Sequence, residues 1–196
     1  MYKAQMKFQK IICLGSLIAS FIVFLYSLGI MTDMYDCFYS TMMNPDDLSD
    51  TWVPGSIIYY DMQPFNYKLT TIGILLILAS LTLFVTSTQK RRRYYIGNII
   101  TVTLNILAGI ASTVYCLPRI NAFKIQFLTT VDFEALKFFA ELFDGTYTES
   151  TFWFDLGYSV FGLLLLTDAL LLGNLICKLV MMKKERQLID QGKEER

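Results

Sequence analysis

One ionisable residue lies in the middle of a long apolar stretch of this chain. Asp168 stands near the centre of a block that spans about residues 154–179. A charged side chain at mid-bilayer depth is costly, so an acid in this position is a functional candidate by default. Two interpretations stay open. Asp168 is the proton or cation site of a transporter, or it is a protonated carboxyl group, bonded to Asn105 or Thr101, that joins helices to one another or to another subunit.

These hydrogen-bond partners for Asp168 come from a second apolar block, which is centred near Asn105. Small and polar residues recur in this block in steps of three and four, which places them on one face of a helix. The face consists of Asn98, Thr101, Asn105, Ala108, Ser112 and Cys116. We expect it to contact protein rather than lipid, because its polar groups need hydrogen-bond partners. Asn105 and Asp168 should then lie at a similar depth in the membrane.

Histidine is absent from the 196 residues. Its absence excludes Ser-His and Cys-His catalysis and His-ligated zinc or haem. The four cysteines form no C-x-x-C motif, so thiol-disulfide oxidoreductase chemistry is unsupported. Cys37 and Cys116 are both expected just outside the membrane on the same side, where they could form one disulfide in an oxidising compartment. The sequence predicts no catalytic residue, no cofactor and no metal site.

Helices that cross a bilayer are needed to position these residues. The chain is 54% hydrophobic, and its apolar residues concentrate in four blocks of roughly the 20 residues that span a hydrocarbon core. The sequence predicts an all-α integral membrane protein of one domain, a bundle of four transmembrane helices with an extra amphipathic helix in the second extracytoplasmic loop. The expected spans are about 11–30, 65–87, 95–117 and 154–179. An outer loop 31–64, an inner loop 88–94 and an outer loop 118–153 join them, and a cytoplasmic tail 180–196 follows.

Basic residues set the orientation of the bundle. Of the 17 Lys and Arg residues, only Lys68, Arg119, Lys124 and Lys137 fall on one side of the four blocks. The side that holds the others is cytoplasmic by the positive-inside rule. We therefore expect a multi-pass protein of the cell membrane with both termini in the cytoplasm. The outer face is acidic. Its acidic residues either form a solvated surface or attract cations or a basic partner.

The first outer loop contains two local signals. Asn44, followed by Pro45, Asp46 and Asp47, indicates the start of a helix, because asparagine caps helices and proline suits their first position. Val53-Pro54-Gly55 indicates a tight turn, since proline fixes its φ and glycine accepts a positive φ.

The second outer loop contains a helical pattern from Val131 to Phe143, with Thr130 as the expected cap. Acidic and basic side chains cluster on a narrow face, and apolar side chains cover more than half of the circumference. Such a helix should lie on the membrane surface or pack into a groove made by the bundle or by a partner protein. The candidate partner face consists of Phe133, Leu136, Phe139 and Phe143.

The leading functional prediction is a non-enzymatic accessory or scaffold subunit that acts by protein–protein contact in a larger membrane complex. A transporter complex is the assembly we favour, because such complexes are common, and no residue of the sequence specifies it. The alternative is a small homo-oligomeric transporter or channel for protons or cations that uses Asp168. A third class, a membrane enzyme with catalytic carboxylates in the first outer loop, lacks a nucleophile or metal to pair with them. The expected partners are the lipid bilayer and other membrane subunits or further copies of the chain. No nucleic acid is expected, because the basic run Arg91–Arg93 is an orientation signal.

Overall fold

The computed structural model describes residues 2–42, 53–88, 94–142 and 147–194, without the side chains of residues 2–4, 6, 31–42, 88, 94–96 and 192–194. These residues form α1 (Tyr2–Met42), α2 (Ile57–Thr88), α3 (Tyr94–Thr130), α4 (Phe133–Leu142) and α5 (Phe152–Glu194). They include no β-strand. The helices α1, α2, α3 and α5 are each long and apolar enough to cross a membrane. The all-helical class predicted from the sequence is thus confirmed for the described residues, together with four helices that are long and apolar enough to span a membrane.

The long helices extend beyond the apolar blocks. α2 begins at Ile57 and α3 continues to Thr130, although Pro64 and Pro118 stand inside them. The sequence places a loop boundary at each proline, because proline removes a backbone hydrogen bond and crowds the preceding turn. The turns beyond both prolines bury apolar side chains in a common core, and this packing stabilises the helix past the proline.

The four long helices form a bundle in which α1 and α3 lie on a diagonal. Both α1 and α3 pack against α2 and α5. Side chains that reach the bundle axis join the two diagonal helices, as the hydrogen bonds from Gln9 to Asn98 and from Ser16 to Asn105 show. Gln9 and Ser16 of α1 and Asn98 and Asn105 of α3 are buried and therefore face the interior.

An aromatic core fills the end of the bundle that is remote from the chain's first residues, which is called the outer end after the predicted orientation. The fully buried ring of Phe127 lies 6.4 Å from Tyr59, 5.1 Å from Phe133 and 5.6 Å from Phe154, measured between ring centroids. These four rings come from α2, α3, α4 and α5. One side chain of α3 thus holds the outer ends of four helices together.

The segment before α2 is a tight turn, as predicted. Ser56 donates its backbone N–H to the Val53 carbonyl at 3.1 Å, and Gly55 has a φ of 83°. The turn abuts the link between α3 and α4, where the Asp132 N–H donates to the Pro54 carbonyl at 3.0 Å. The helix start predicted at Asn44 lies outside the described residues.

The predicted cap of α4 is wrong by two residues. Asp132 accepts a hydrogen bond from the Ala135 N–H at 3.0 Å through its side chain, so Asp132 satisfies an otherwise unpaired donor of the first turn. Thr130 instead bonds back to the carbonyl of Gln126 and belongs to the last turn of α3. Asp132 is the cap because α3 extends through Thr130, which leaves Asp132 as the residue that directly precedes α4.

Candidate functional site

The bundle interior carries a column of polar side chains that begins at the end holding the chain's first residues. Gln5 donates to Gln9 at 3.2 Å and to Asn174 at 3.1 Å, and Gln9 donates to Asn98 at 2.8 Å. Lys178 also donates to the side-chain oxygen of Asn98. This inner cluster links α1, α3 and α5 through amide groups.

Sequence reasoning singled out Asn98 of this cluster but missed Gln5, Gln9, Asn174 and the burial of Lys178. The Lys178 side chain is only 2% exposed, whereas the basic pattern assigned it to the cytoplasmic end of the fourth span. Two spacings signal the cluster in the sequence: Gln5 and Gln9 are four residues apart, as are Asn174 and Lys178. Residues four apart share one helix face, so each pair is presented to the same neighbours.

A second cluster lies two helical turns further along the bundle. Ser20 and Ser80 are 2.8 Å apart, Ser16 and Ser80 are 3.4 Å apart, and Ser16 donates to Asn105 at 3.2 Å. All four side chains are buried. Their polar groups satisfy one another across α1, α2 and α3, which is the arrangement that stabilises helix association in lipid. The predicted interior position of Asn105 agrees with this structure.

Thr101 belongs to the contact between α2 and α3. Its hydroxyl lies 3.1 Å from that of Thr86 and donates to the Asn98 carbonyl at 3.0 Å. It forms no hydrogen bond with Asp168, so the structure does not bring these two predicted candidates together.

Asp168 is buried against a glycine. Its side chain is 3% exposed, and neither carboxyl oxygen has a hydrogen-bond partner in the part of the chain that the structure describes. A β-carbon on Gly109 would overlap this carboxyl group. Asp168 therefore lies at the level of Gly109, one turn along α3 from Asn105, and the hydrogen bond expected from Asn105 goes to other residues. The nearby hydroxyls of Thr113 and Thr167 donate to carbonyls of their own helices.

The cysteines occupy different environments. Cys13 and Cys116 are buried and Cys177 is exposed, and these three form no disulfide with one another. The side chain of Cys37 lies outside the described residues, so the disulfide between Cys37 and Cys116 stays a prediction. The buried thiols serve below as reporters of unfolding.

Most of the predicted partner face on the outer helix α4 packs against the chain's own core. Leu136 is fully buried, and Phe133 and Phe139 are partly buried against the outer core. Phe143 lies outside the described residues. The apolar side chains that α4 exposes are Phe138 and Leu142, each 62% accessible. The sequence does not show which apolar side of α4 meets the bundle, because apolar residues cover more than half of the helix.

Within the described ranges, no three His, Cys, Asp or Glu side chains are grouped so that they could hold a metal ion. No protein-family model, no curated protein and no solved structure matches the chain.

Proposed function

We propose that the protein crosses the cell membrane four times with both termini in the cytoplasm, and that it acts there by contact with another membrane protein. The topology is supported by the distribution of Lys and Arg along the four apolar helices, because positively charged connections stay on the cytoplasmic side. The apolar side chains on the outward-facing surfaces of these helices, such as Ile11, Val114 and Leu166, are suited to lipid.

Site-specific labelling tests the topology. In a cysteine-free variant, Thr129→Cys at the end of α3 should react with a membrane-impermeant maleimide on intact cells. Leu188→Cys in the last turns of α5 should react only after permeabilisation. Both positions are exposed in the structure. The opposite labelling pattern would overturn the proposed orientation.

The observation that carries the contact function is the exposed apolar pair on α4. Phe127, which supports α4, lies ten residues beyond Leu117, the predicted membrane boundary, and therefore about 15 Å outside it at 1.5 Å per residue. Phe138 and Leu142 are four residues apart and face away from the core. At that height these side chains meet water unless another protein covers them. We assign this pair to a contact with the extracytoplasmic part of another membrane protein. In this proposal α4 serves as the amphipathic helix of this chain's second outer loop.

The polar interior supports the same proposal. The hydroxyls and amides around Asn105 bond to one another, so they join helices of this chain and are not presented to a substrate. The proposed role is that of a non-enzymatic accessory subunit whose rigid bundle holds α4 in place.

Copurification from mild detergent tests this role. The wild-type chain should retain one partner at a fixed molar ratio, and Phe138→Ser with Leu142→Ser should lose that partner. The matched control is Leu188→Ser, which changes a leucine that is 69% exposed at the opposite end of the molecule. Equal partner recovery from all three proteins, or no partner with the wild type, would overturn the proposal.

A second candidate function rests on Asp168. A buried carboxyl group that has no hydrogen-bond partner among the described residues can bind a proton or a small cation, and acids in membrane helices often do so. Proteoliposomes that contain the wild-type protein should then show proton or cation flux that Asp168→Asn abolishes. Asp155→Asn, which changes an exposed acid on the same helix, should retain the flux. Absence of wild-type flux at every pH would reject this function.

A further inference from the structure

A groove opens between α2 and α3 near the predicted outer membrane boundary. It has a volume of about 520 Å³ and is lined by Tyr67, Lys68, Thr71, Ile72 and Tyr115. Tyrosine is typical of the interface between hydrocarbon and water, and lysine there can extend its charge toward the headgroups. The lining of this groove therefore combines apolar surface with the polar groups of two tyrosines, a threonine and a lysine.

Two cations lie at the same height on the two sides of this groove. The packing of Phe65 on Phe123 and of Thr86 against Thr101 fixes the register of α2 and α3. In that register Lys68 lies level with Arg119. The Arg119 guanidinium stands 3.8 Å from the centroid of the Tyr115 ring and donates to the Tyr115 carbonyl at 3.0 Å. Arg119 is thus held over a side chain that lines the groove.

Neither cation has a carboxylate partner among the described residues, although the outer face is acidic. Lys124, another basic residue on that side, does have one: its amine lies 2.5 Å from the Asp155 carboxylate. Two positive charges held at one height repel each other, and an anion between them removes that repulsion. The groove below them accepts an apolar chain. The charge and the shape together match an amphipathic anion.

We propose that this groove binds one phospholipid of the outer leaflet, with its phosphate between Lys68 and Arg119 and the start of an acyl chain on Ile72. Tyr67 and Tyr115 then lie at the level of the glycerol and headgroup. The leaflet assignment rests on the proposed topology, whereas the binding site itself rests on the groove and its two cations. A bound lipid would seal the contact between α2 and α3 just below the aromatic core.

Titration of the purified full-length protein with phosphatidylglycerol, followed by native mass spectrometry, tests the site. The wild type should bind one lipid more tightly than further lipids. The variant Lys68→Ala with Arg119→Ala should weaken this first binding step about 25-fold, because a basic residue near a membrane contributes about a fivefold factor to anionic-lipid binding. The matched control removes the other two outer cations, through Lys124→Ala with Lys137→Ala, and should bind as the wild type does.

Three outcomes would overturn the proposal. They are an equal loss of binding in the two double variants, an unchanged affinity in Lys68→Ala with Arg119→Ala, and equally tight binding of inorganic phosphate alone. Lys68→Arg with Arg119→Lys keeps both charges and should bind lipid, which separates charge from folding effects. Because the titration is made in detergent, its result does not depend on orientation, and the maleimide experiment tests the topology separately.

Discussion

Asp168 of α5 packs against Gly109 of α3 so closely that a β-carbon at position 109 would overlap the carboxyl group. The absence of a side chain at Gly109 makes room for the acid in the interior. This pair also defines the register between α3 and α5, since it requires close approach of the two helices. Gly109 thus provides the space for the Asp168 carboxyl group, and the local sequence around Gly109 does not reveal this role.

Gly109→Ala should lower the free energy of unfolding by about 1–3 kcal/mol, the usual cost of overpacking a core. Unfolding in detergent can be followed with a thiol-reactive dye in a background that carries Cys37→Ser and Cys177→Ser, because the two remaining thiols, Cys13 and Cys116, are fully buried. Gly162→Ala is the matched control, since its β-carbon would meet nothing within 4 Å. Equal melting temperatures for the two variants would contradict the close approach.

Gly55→Ala should destabilise the outer end of the bundle by more than about 1 kcal/mol, because alanine is strained at a positive φ. The β-carbon would in addition overlap the Thr130 carbonyl group. The same dye-based melting experiment measures the change. Gly97→Ala adds a methyl group in open space and should leave the melting temperature close to that of the wild type. A wild-type melting temperature for Gly55→Ala would argue against the turn.

Phe127→Ala should reduce the free energy of unfolding by about 3–5 kcal/mol, as expected when a buried phenylalanine is truncated. The loss should be large because this ring contacts aromatic side chains from three other helices. Phe152→Ala removes a ring that is 58% exposed and serves as the control. Comparable losses for the two variants would show that the outer core is not organised around Phe127.

Ser20 and Ser80 should be energetically coupled, since their hydroxyls are 2.8 Å apart. A double-mutant cycle with Ser20→Ala and Ser80→Ala should give a coupling of about 0.6 kcal/mol, a typical value for hydrogen bonds between membrane helices. A cycle that pairs Ser20→Ala with Ser112→Ala should give none, because Ser112 donates to the Ala108 carbonyl of its own helix. Purely additive effects in the first cycle would contradict the hydrogen bond.

The interior position of Asn105 could be predicted from the sequence, whereas the environment of Asp168 could not. The steps of three and four residues around Asn105 identify a face, and a polar face in an apolar helix has to turn inward. Which residues meet across two helices depends on their register. Asp168 is displaced by one turn from the expected level and meets Gly109 instead of Asn105.

For the outer helix α4, too, the sequence predicts the element, whereas the tertiary structure decides which of its side chains are buried. The sequence predicts a helix near residues 131–143, but Asp132 caps it and its buried side is centred on Leu136 and Ala140. The candidate partner face was therefore placed on side chains that pack against the chain's own core, and Phe138 and Leu142 remain exposed. Apolar residues around more than half of a helix leave its rotation undetermined.

The sequence by itself determined four apolar helices, a single tight turn at Gly55 and a polar interior face on α3, because each follows from local composition and periodicity. Only the tertiary structure decided that Lys178 meets Asn98, that Asp168 meets Gly109, and that a groove opens between Lys68 and Tyr115. These contacts depend on the register and rotation of whole helices. Register and rotation result from many weak packing interactions summed along each interface, and no short stretch of sequence contains that sum.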